Sequence, residues 1–320
     1  MNVQASSNRE ADAVNRGNSD SAIGPPGSAS SVGHWATLAC LLEATASKVG
    51  NVHRGADFDD LSFGDFVLSA WAIGPSIDQV GCRGIGQTIC DAVEVTRERV
   101  NTNTNLGMLL LLAPLAHALQ SKPDQPLGER IRLGLEGMNA NDARAVYRAI
   151  VLATPGGLGK VDQHDVRGDA PEDLLAAMRL ASERDRVARQ YVTGFADVTD
   201  HIVPWLVADR ERLGALEPAI VSTHLRIMAA WPDSLIARKL GDSVAEQACL
   251  KAKRVLESGE LFEERFVSAL ADLDFWLRAD GHRRNPGTSA DLVCAGLFLA
   301  LATGRISPQP WLPGSNRHEQ

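Results

Sequence analysis

Apolar residues recur at helical spacing along most of this chain. Trp35, Leu38, Leu41 and Leu42 share one helical face, as do Ile85, Ile89 and Val93. Val146, Ile150 and Val151 repeat the pattern behind an Asn141-Asp142 start signal. Leu174, Ala177, Met178 and Ala181 follow Pro171, a residue suited to a first helical turn. Ser243-x-x-Glu246 reads as a capping box, Leu261 to Leu277 as a long amphipathic helix, and Thr288 to Asp291 as the opening of a last helix. The apolar runs Met108–Ala113 and Leu292–Ala302 fall short of the roughly 20 residues a spanning helix needs, so they predict buried core helices. Strand-like alternation and hairpin dipeptides are missing. The expected fold is all-α, a single compact domain of roughly a dozen helices over 33–305. A small, polar segment over 1–32 predicts a disordered extension, and the proline-rich 306–320 a tail.

Composition narrows the class. The 320 residues are 44% hydrophobic and 22% charged, which is ordinary for a globular chain. A net charge of −8 argues against a nucleic-acid partner. Most of the 32 basic residues are arginines, which suit phosphate and carboxylate contacts. Five cysteines without a CxxC pair predict neither a disulfide framework nor a zinc knuckle, and reduced thiols point to the cytoplasm. The N-terminus lacks the apolar core of a signal peptide, and no membrane partner is expected.

Familiar nucleotide and hydrolase motifs are missing. Gly159-Lys160 is followed by Val161, and Thr154 stands where a phosphate-binding loop needs its first glycine. Gly81-x-x-Gly84-x-Gly86 has the wrong order for a dinucleotide fingerprint. Neither HExxH nor GxSxG occurs.

The chemistry therefore has to come from polar clusters between the helices. Lys48-Val49-Gly50-Asn51-Val52-His53-Arg54 groups cations around a glycine that lets backbone approach a phosphate; the same residues could close a helix. Glu43, upstream on a mostly apolar helix, is either a solvated residue or a carboxylate aimed into a site. Asn103 and Asn105 alternate with threonines before an apolar helix, where they could hold sugar hydroxyls or serve as caps. Asp162-x-His164-Asp165 offers hard oxygen ligands and an imidazole, a set suited to Mg²⁺ carrying substrate phosphates. Arg184, Asp185, Arg189 and Gln190 read as one helical face, closed by Thr193-Gly194. Asp233 is an N-cap or an acid one turn before Arg238-Lys239. Asn285-Pro286-Gly287-Thr288 is a tight turn, and Thr288-x-x-Asp291 fits a capping box.

Taken together, these clusters resemble the triphosphoribosyl-dephospho-CoA synthase family from about Leu38 to Leu301. The resemblance is carried by Lys48-x-Gly50-Asn51-Val52-x-Arg54, Asn103-Thr104-Asn105-x-Gly107, Gln190-Tyr191-x-x-Gly194, Asp233-Ser234-Leu235-Ile236-x-Arg238 and Asn285-Pro286-Gly287-Thr288-Ser289-Ala290-Asp291-Leu292. It implies a helical transferase that moves the triphosphoribosyl group of ATP onto the ribose 2′-hydroxyl of 3′-dephospho-CoA, with loss of adenine. Val49 replaces the family's usual proline, His53 an aspartate, and Asn105-Leu106 a His-Lys pair. These departures point toward a branch from archaea and bacteria that carry one-carbon units on a pterin, so another ribosyl acceptor stays open.

The roles that follow are expectations. Lys48, Arg54, Arg184 and Arg238 would bind phosphates. Gly50, Asn51, Asn103, Asn105, Asn285 and Thr288 would help hold sugar and phosphate. Asp165, His164 or Asp185 would carry Mg²⁺ with the ATP. Asp233, Asp291 or Asp185 would act as base or cation stabiliser, because leaving adenine builds an oxocarbenium-like centre. Two rivals remain: an HD-type phosphohydrolase using His164 and Asp165, and a non-catalytic helical scaffold. Nothing in the pattern fixes whether the chain forms a homo-oligomer.

Overall fold

A computed structural model describes residues 30–121, 124–154 and 171–314. Among these residues the fold is built from fifteen α-helices, one π-helical segment and one four-residue strand, so the all-α expectation holds with more helices than the pattern resolves. Two helices are buried nearly all round and form the centre: α5 (Leu106–Gln120) and α15 (Gly287–Ala302). They are the two apolar runs read as core, and they pack against each other. Among the described residues, no helix is long and apolar enough to cross a membrane.

One layer surrounds them from the N-terminal half. Helix α1 (Val32–Thr45) lies on α15 and on α2 (Phe63–Asp78); α2 packs on α4 (Ile85–Val100), and α4 on α7 (Ala140–Ala153). The short α3 (Val80–Arg83) and α6 (Leu127–Glu136) fill in around α5. Helices α8 (Leu174–Ala181) and α9 (Arg186–Thr193) pack together and lead into the π-helical segment Asp197–Ile202. A second cluster of buried apolar side chains joins α11 (Leu216–Ala230), α12 (Ser234–Leu240), α13 (Asp242–Glu257) and α14 (Glu264–Arg278). Helix α10 (Val203–Leu213) bridges α11 and α15, and the strand β1 (Ala279–His282) follows α14.

Several helix starts differ from the sequence pattern for local reasons. Asn139, not Asn141, caps α7, because Asn139 and Asp142 complete a reciprocal capping box. Asp173 caps α8, so Pro171 lies two residues before the cap and outside the first helical turn. Ser243 lies inside α13, whose cap is Gly241, so its capping box does not form. Helix α14 begins at Glu264 rather than Leu261. Arg184 precedes α9 and Asp185 caps it, so they do not share a helical face with Arg189; the expected stop at Gly194 does close α9 in the left-handed region.

At the chain ends, residues 1–29 and 315–320 lie outside the described residues. Ser31 already caps α1. At the other end, the expected tail docks: Ile306 is buried, and the carbonyls of Pro310 and Trp311 accept from Leu216 N and Glu217 N, each at 3.0 Å. Ala215 has no side chain to cap α11, so returning backbone satisfies its first donors.

Candidate active site

The starts of α5, α9 and α15 converge on one cavity of about 1050 Å³, with residues of α12 beside them. That is the upper end of the range for small-molecule sites, roughly 300–1,000 Å³. Glu43 of α1 and Arg97 of α4 reach it from one side, and the apolar faces of α7 and α8 close another. Three helix N-termini around one volume favour an anion there, because their backbone N–H groups and dipoles are positive.

Asp291 is the central carboxylate. It is the fifth residue of α15 and lies directly against Gly107 in the first turn of α5. A Cβ on Gly107 would come within 2.0 Å of Asp291 Oδ2, so only glycine permits the approach. Its expected capping box with Thr288 does not form. Pro286 holds the N-cap position, and Ser289 N donates instead to Asp233 Oδ2 at 2.7 Å. Burial pushes the Asp291 carboxyl well above its usual range, and the nearby charges of Glu43, Asp233 and Asp185 add to this against Arg238. Gly107→Ala should therefore displace Asp291. We expect a loss in turnover of about 10²-fold, the scale of a misplaced reacting group, measured as kcat beside an unchanged circular dichroism spectrum.

Most of the sequence-expected residues meet here. Asn51, Asn103, Asn105, Arg184, Asp185, Arg238, Asn285, Thr288 and Asp291 all line the cavity. Asp185 Oδ1 caps α9 through Val187 N and Ala188 N, while its Oδ2 accepts from Arg238 at 3.3 Å. Asn103 Oδ1 accepts from Leu106 N at 3.1 Å, and Asn105 donates to Thr96 Oγ1 at 3.2 Å. Asn51 donates its amide to His224 Nε2 at 3.2 Å; burial holds that histidine neutral, its pKa lowered to about 3. Thr288 Oγ1 accepts from Ser234 Oγ at 3.0 Å. Asn285 carries a buried Oδ1 that no protein donor satisfies.

Four expected residues stand off the cavity wall. Lys48 is fully buried and pairs with Glu43 Oε1 at 2.9 Å, while also donating to the carbonyls of Glu43 and Ala46. Its ammonium is spent inside the protein rather than offered to a phosphate. Gly50 makes a left-handed turn (φ +69°) against Leu277 and Pro286, and its N–H donates to Asp274. Arg54 is half exposed and lies 3.6 Å from Glu217. Asp233 accepts from Leu235 N, Ile236 N, Ser289 N and Ser289 Oγ at 2.7–3.1 Å, which ties the starts of α12 and α15 together. Asp162, His164 and Asp165 lie outside the described residues.

Residues 29–308 match the family described as ATP:dephospho-CoA triphosphoribosyl transferase. The chain belongs to that family. It is 27% identical over 217 residues to a Stutzerimonas stutzeri (strain A1501) protein named a probable 2-(5''-triphosphoribosyl)-3'-dephosphocoenzyme-A synthase. The alignment covers 67% of this chain and 66% of that relative, just under two thirds of its length. The fold is also that of a crystal structure from Archaeoglobus fulgidus, assigned as a triphosphoribosyl-dephospho-CoA synthase. The TM-score is 0.58 at 24% identity, covering 74% of this chain and 99% of the other.

Other cavity residues were not singled out by spacing. Glu43 carried a signal, a lone acid on an apolar helix, and it does line the cavity, its carboxyl raised by burial against the pull of Lys48. Lys239 sits beside Arg238; burial and that neighbouring charge lower its pKa. Arg97, Asp60, Asp242 and His282 complete the charged lining, and no short motif joins them.

Proposed function

We infer that this protein transfers the triphosphoribosyl group of ATP to the ribose 2′-hydroxyl of 3′-dephospho-CoA and releases adenine. The observation that carries the reading is the cavity itself: three helix N-termini and the side chains of Arg97, Arg184, Arg238 and Lys239 share it with Asp291, whose ionisation is disfavoured by burial and by neighbouring acids. The helix ends suit a triphosphate, and the volume suits two substrates rather than one. In this scheme Arg184 and Arg238 hold phosphate oxygens, with Asn51, Asn103, Asn105, Asn285 and Thr288 around the sugar. Asp291 is the acid–base group beside C1′, where a positioned proton donor or acceptor contributes about 10²–10⁴-fold. Glu43 lies on the same wall and stabilises positive charge as the ribose–adenine bond lengthens.

Mg²⁺ fits this donor set as a cation brought in on the phosphates. Among the described residues no three potential ligands cluster, and Mg²⁺ characteristically takes one or two carboxylates plus substrate oxygens. Asp185 is the protein carboxylate we assign to it, with Asp165 and His164 as further expected ligands. When bound, the ion neutralises triphosphate charge that would otherwise oppose the cavity's carboxylates. The five cysteines are free thiols, in keeping with a cytoplasmic enzyme.

Substrate binding tests this without turnover. ATP with Mg²⁺ at about 100 times its Kd should stabilise the fold by roughly 2.7 kcal/mol and raise Tm by about 5 °C. Arg238→Ala should reduce that shift. A Tm unmoved by millimolar ATP would exclude ATP as the donor.

A further inference from the structure

Two residues unused in this scheme form a hydrogen-bonded pair on the cavity wall. His282, at the end of β1, places Nδ1 2.8 Å from Asp60 Oδ1 in the segment between α1 and α2. Both residues line the cavity. An ionised carboxylate only accepts, so the shared proton belongs to the imidazole. A neutral ring in this pair therefore carries its hydrogen on Nδ1 and keeps the lone pair on Nε2. The ring is held from other directions as well. Phe58 meets it edge-on at 5.9 Å between centroids, and Lys239 Nζ donates to the His282 carbonyl at 3.2 Å. The same carbonyl accepts from Asn285 N at 3.3 Å, which links His282 to the turn that begins α15.

Two of the cavity carboxylates, Asp291 and Asp185, are poorly suited to the remaining task. Burial raises the Asp291 pKa well above the usual carboxylate range, and Asp185 is engaged by two backbone N–H groups and Arg238. We propose that His282, oriented by Asp60, is the general base that takes the proton of the acceptor's ribose hydroxyl. This rests on the triphosphoribosyl-transfer reading. In the step, the hydroxyl oxygen forms the new bond to C1′ and its proton goes to His282 Nε2. The C1′–N9 bond breaks with its electron pair on adenine, which takes up a proton from Asp291. His282 then returns its proton through solvent, so the net change is one glycosidic bond exchanged for another. His282 is the catalytic residue of this pair and Asp60 the positioning residue.

The test is His282→Ala in the full-length protein, assayed for adduct formation with ATP, Mg²⁺ and 3′-dephospho-CoA. We expect kcat to fall about 10²–10⁴-fold with the KM for ATP unchanged, and added imidazole to restore part of the rate. Asp60→Asn should lower kcat less, again at unchanged KM. Wild-type turnover in His282→Ala overturns the proposal. So does a loss that imidazole cannot rescue and that comes with a raised KM for ATP, since that marks a mere tether. Adduct formation by the wild type alongside identifies any loss as the variant's own; a wild type that forms no adduct sinks the transfer reading and this proposal with it.

Discussion

Asp291→Asn should abolish transfer and at the same time make the protein more stable. The two effects have one cause. The carboxyl sits between Gly107, Glu43 and Asp185, where burial and like charges hold its pKa well above the usual carboxylate range. In the unfolded chain it titrates normally. The folded state therefore binds the proton more tightly, and stability falls as pH rises from the ordinary carboxylate range through the raised value. At neutral pH the wild type carries that cost, and an uncharged amide of the same shape removes it. We expect Tm at pH 7.5 to rise by about 2 °C or more, the shift that roughly 1 kcal/mol brings in a chain of this size class. The gain should shrink below about pH 5 and vanish near about pH 3, where unfolded Asp291 is itself largely protonated. Turnover should fall by at least about 10²-fold. A variant that is less stable by about 1 kcal/mol yet fully active would instead mark Asp291 as a helix cap.

Lys48→Met should destabilise the protein more than any change on the cavity wall. Lys48 is fully buried, and its ammonium answers the Glu43 carboxylate and two carbonyls. Removing it leaves Glu43 buried without its counter-charge, a loss of about 3–5 kcal/mol. Thermal unfolding should show Tm lowered by roughly 6 °C or more. The double variant Lys48→Met, Glu43→Leu should regain most of that stability, because a well-packed apolar pair often matches a buried ion pair. It should not regain activity, since Glu43 faces the cavity. A phosphate clamp would behave differently: Lys48→Met would keep its Tm and lose affinity for ATP.

These two residues also mark how far the sequence could be read. The apolar runs within α5 and α15 announced the core, because helices buried all round need apolar residues on every face. The polar clusters announced the cavity, since unusual Asn and Asp runs at helix starts have few structural uses beyond one cap each. What stayed hidden depended on distant partners. The Thr288–Asp291 pattern mimics a capping box, but α15 already begins at Gly287 behind Pro286, and Asp233, 56 residues before Ser289, accepts from Ser289 N at its start. Lys48 reads as a phosphate-binding cation or a helix-end residue until its burial is seen. Asp60 and His282 are 222 residues apart and carry no shared motif, so only the fold brings them together. A helix start is misplaced where a glycine does the capping, at Gly241.

The central claim is that this cavity breaks the ribose–adenine bond of ATP and passes the sugar to a ribose hydroxyl. Incubation with ATP and Mg²⁺, with and without 3′-dephospho-CoA, followed by mass spectrometry, tests it most directly. The account predicts free adenine together with an adduct of dephospho-CoA heavier by one triphosphoribosyl group, both dependent on the acceptor. ATP left intact in the presence of dephospho-CoA, with no adenine and no adduct, would contradict it.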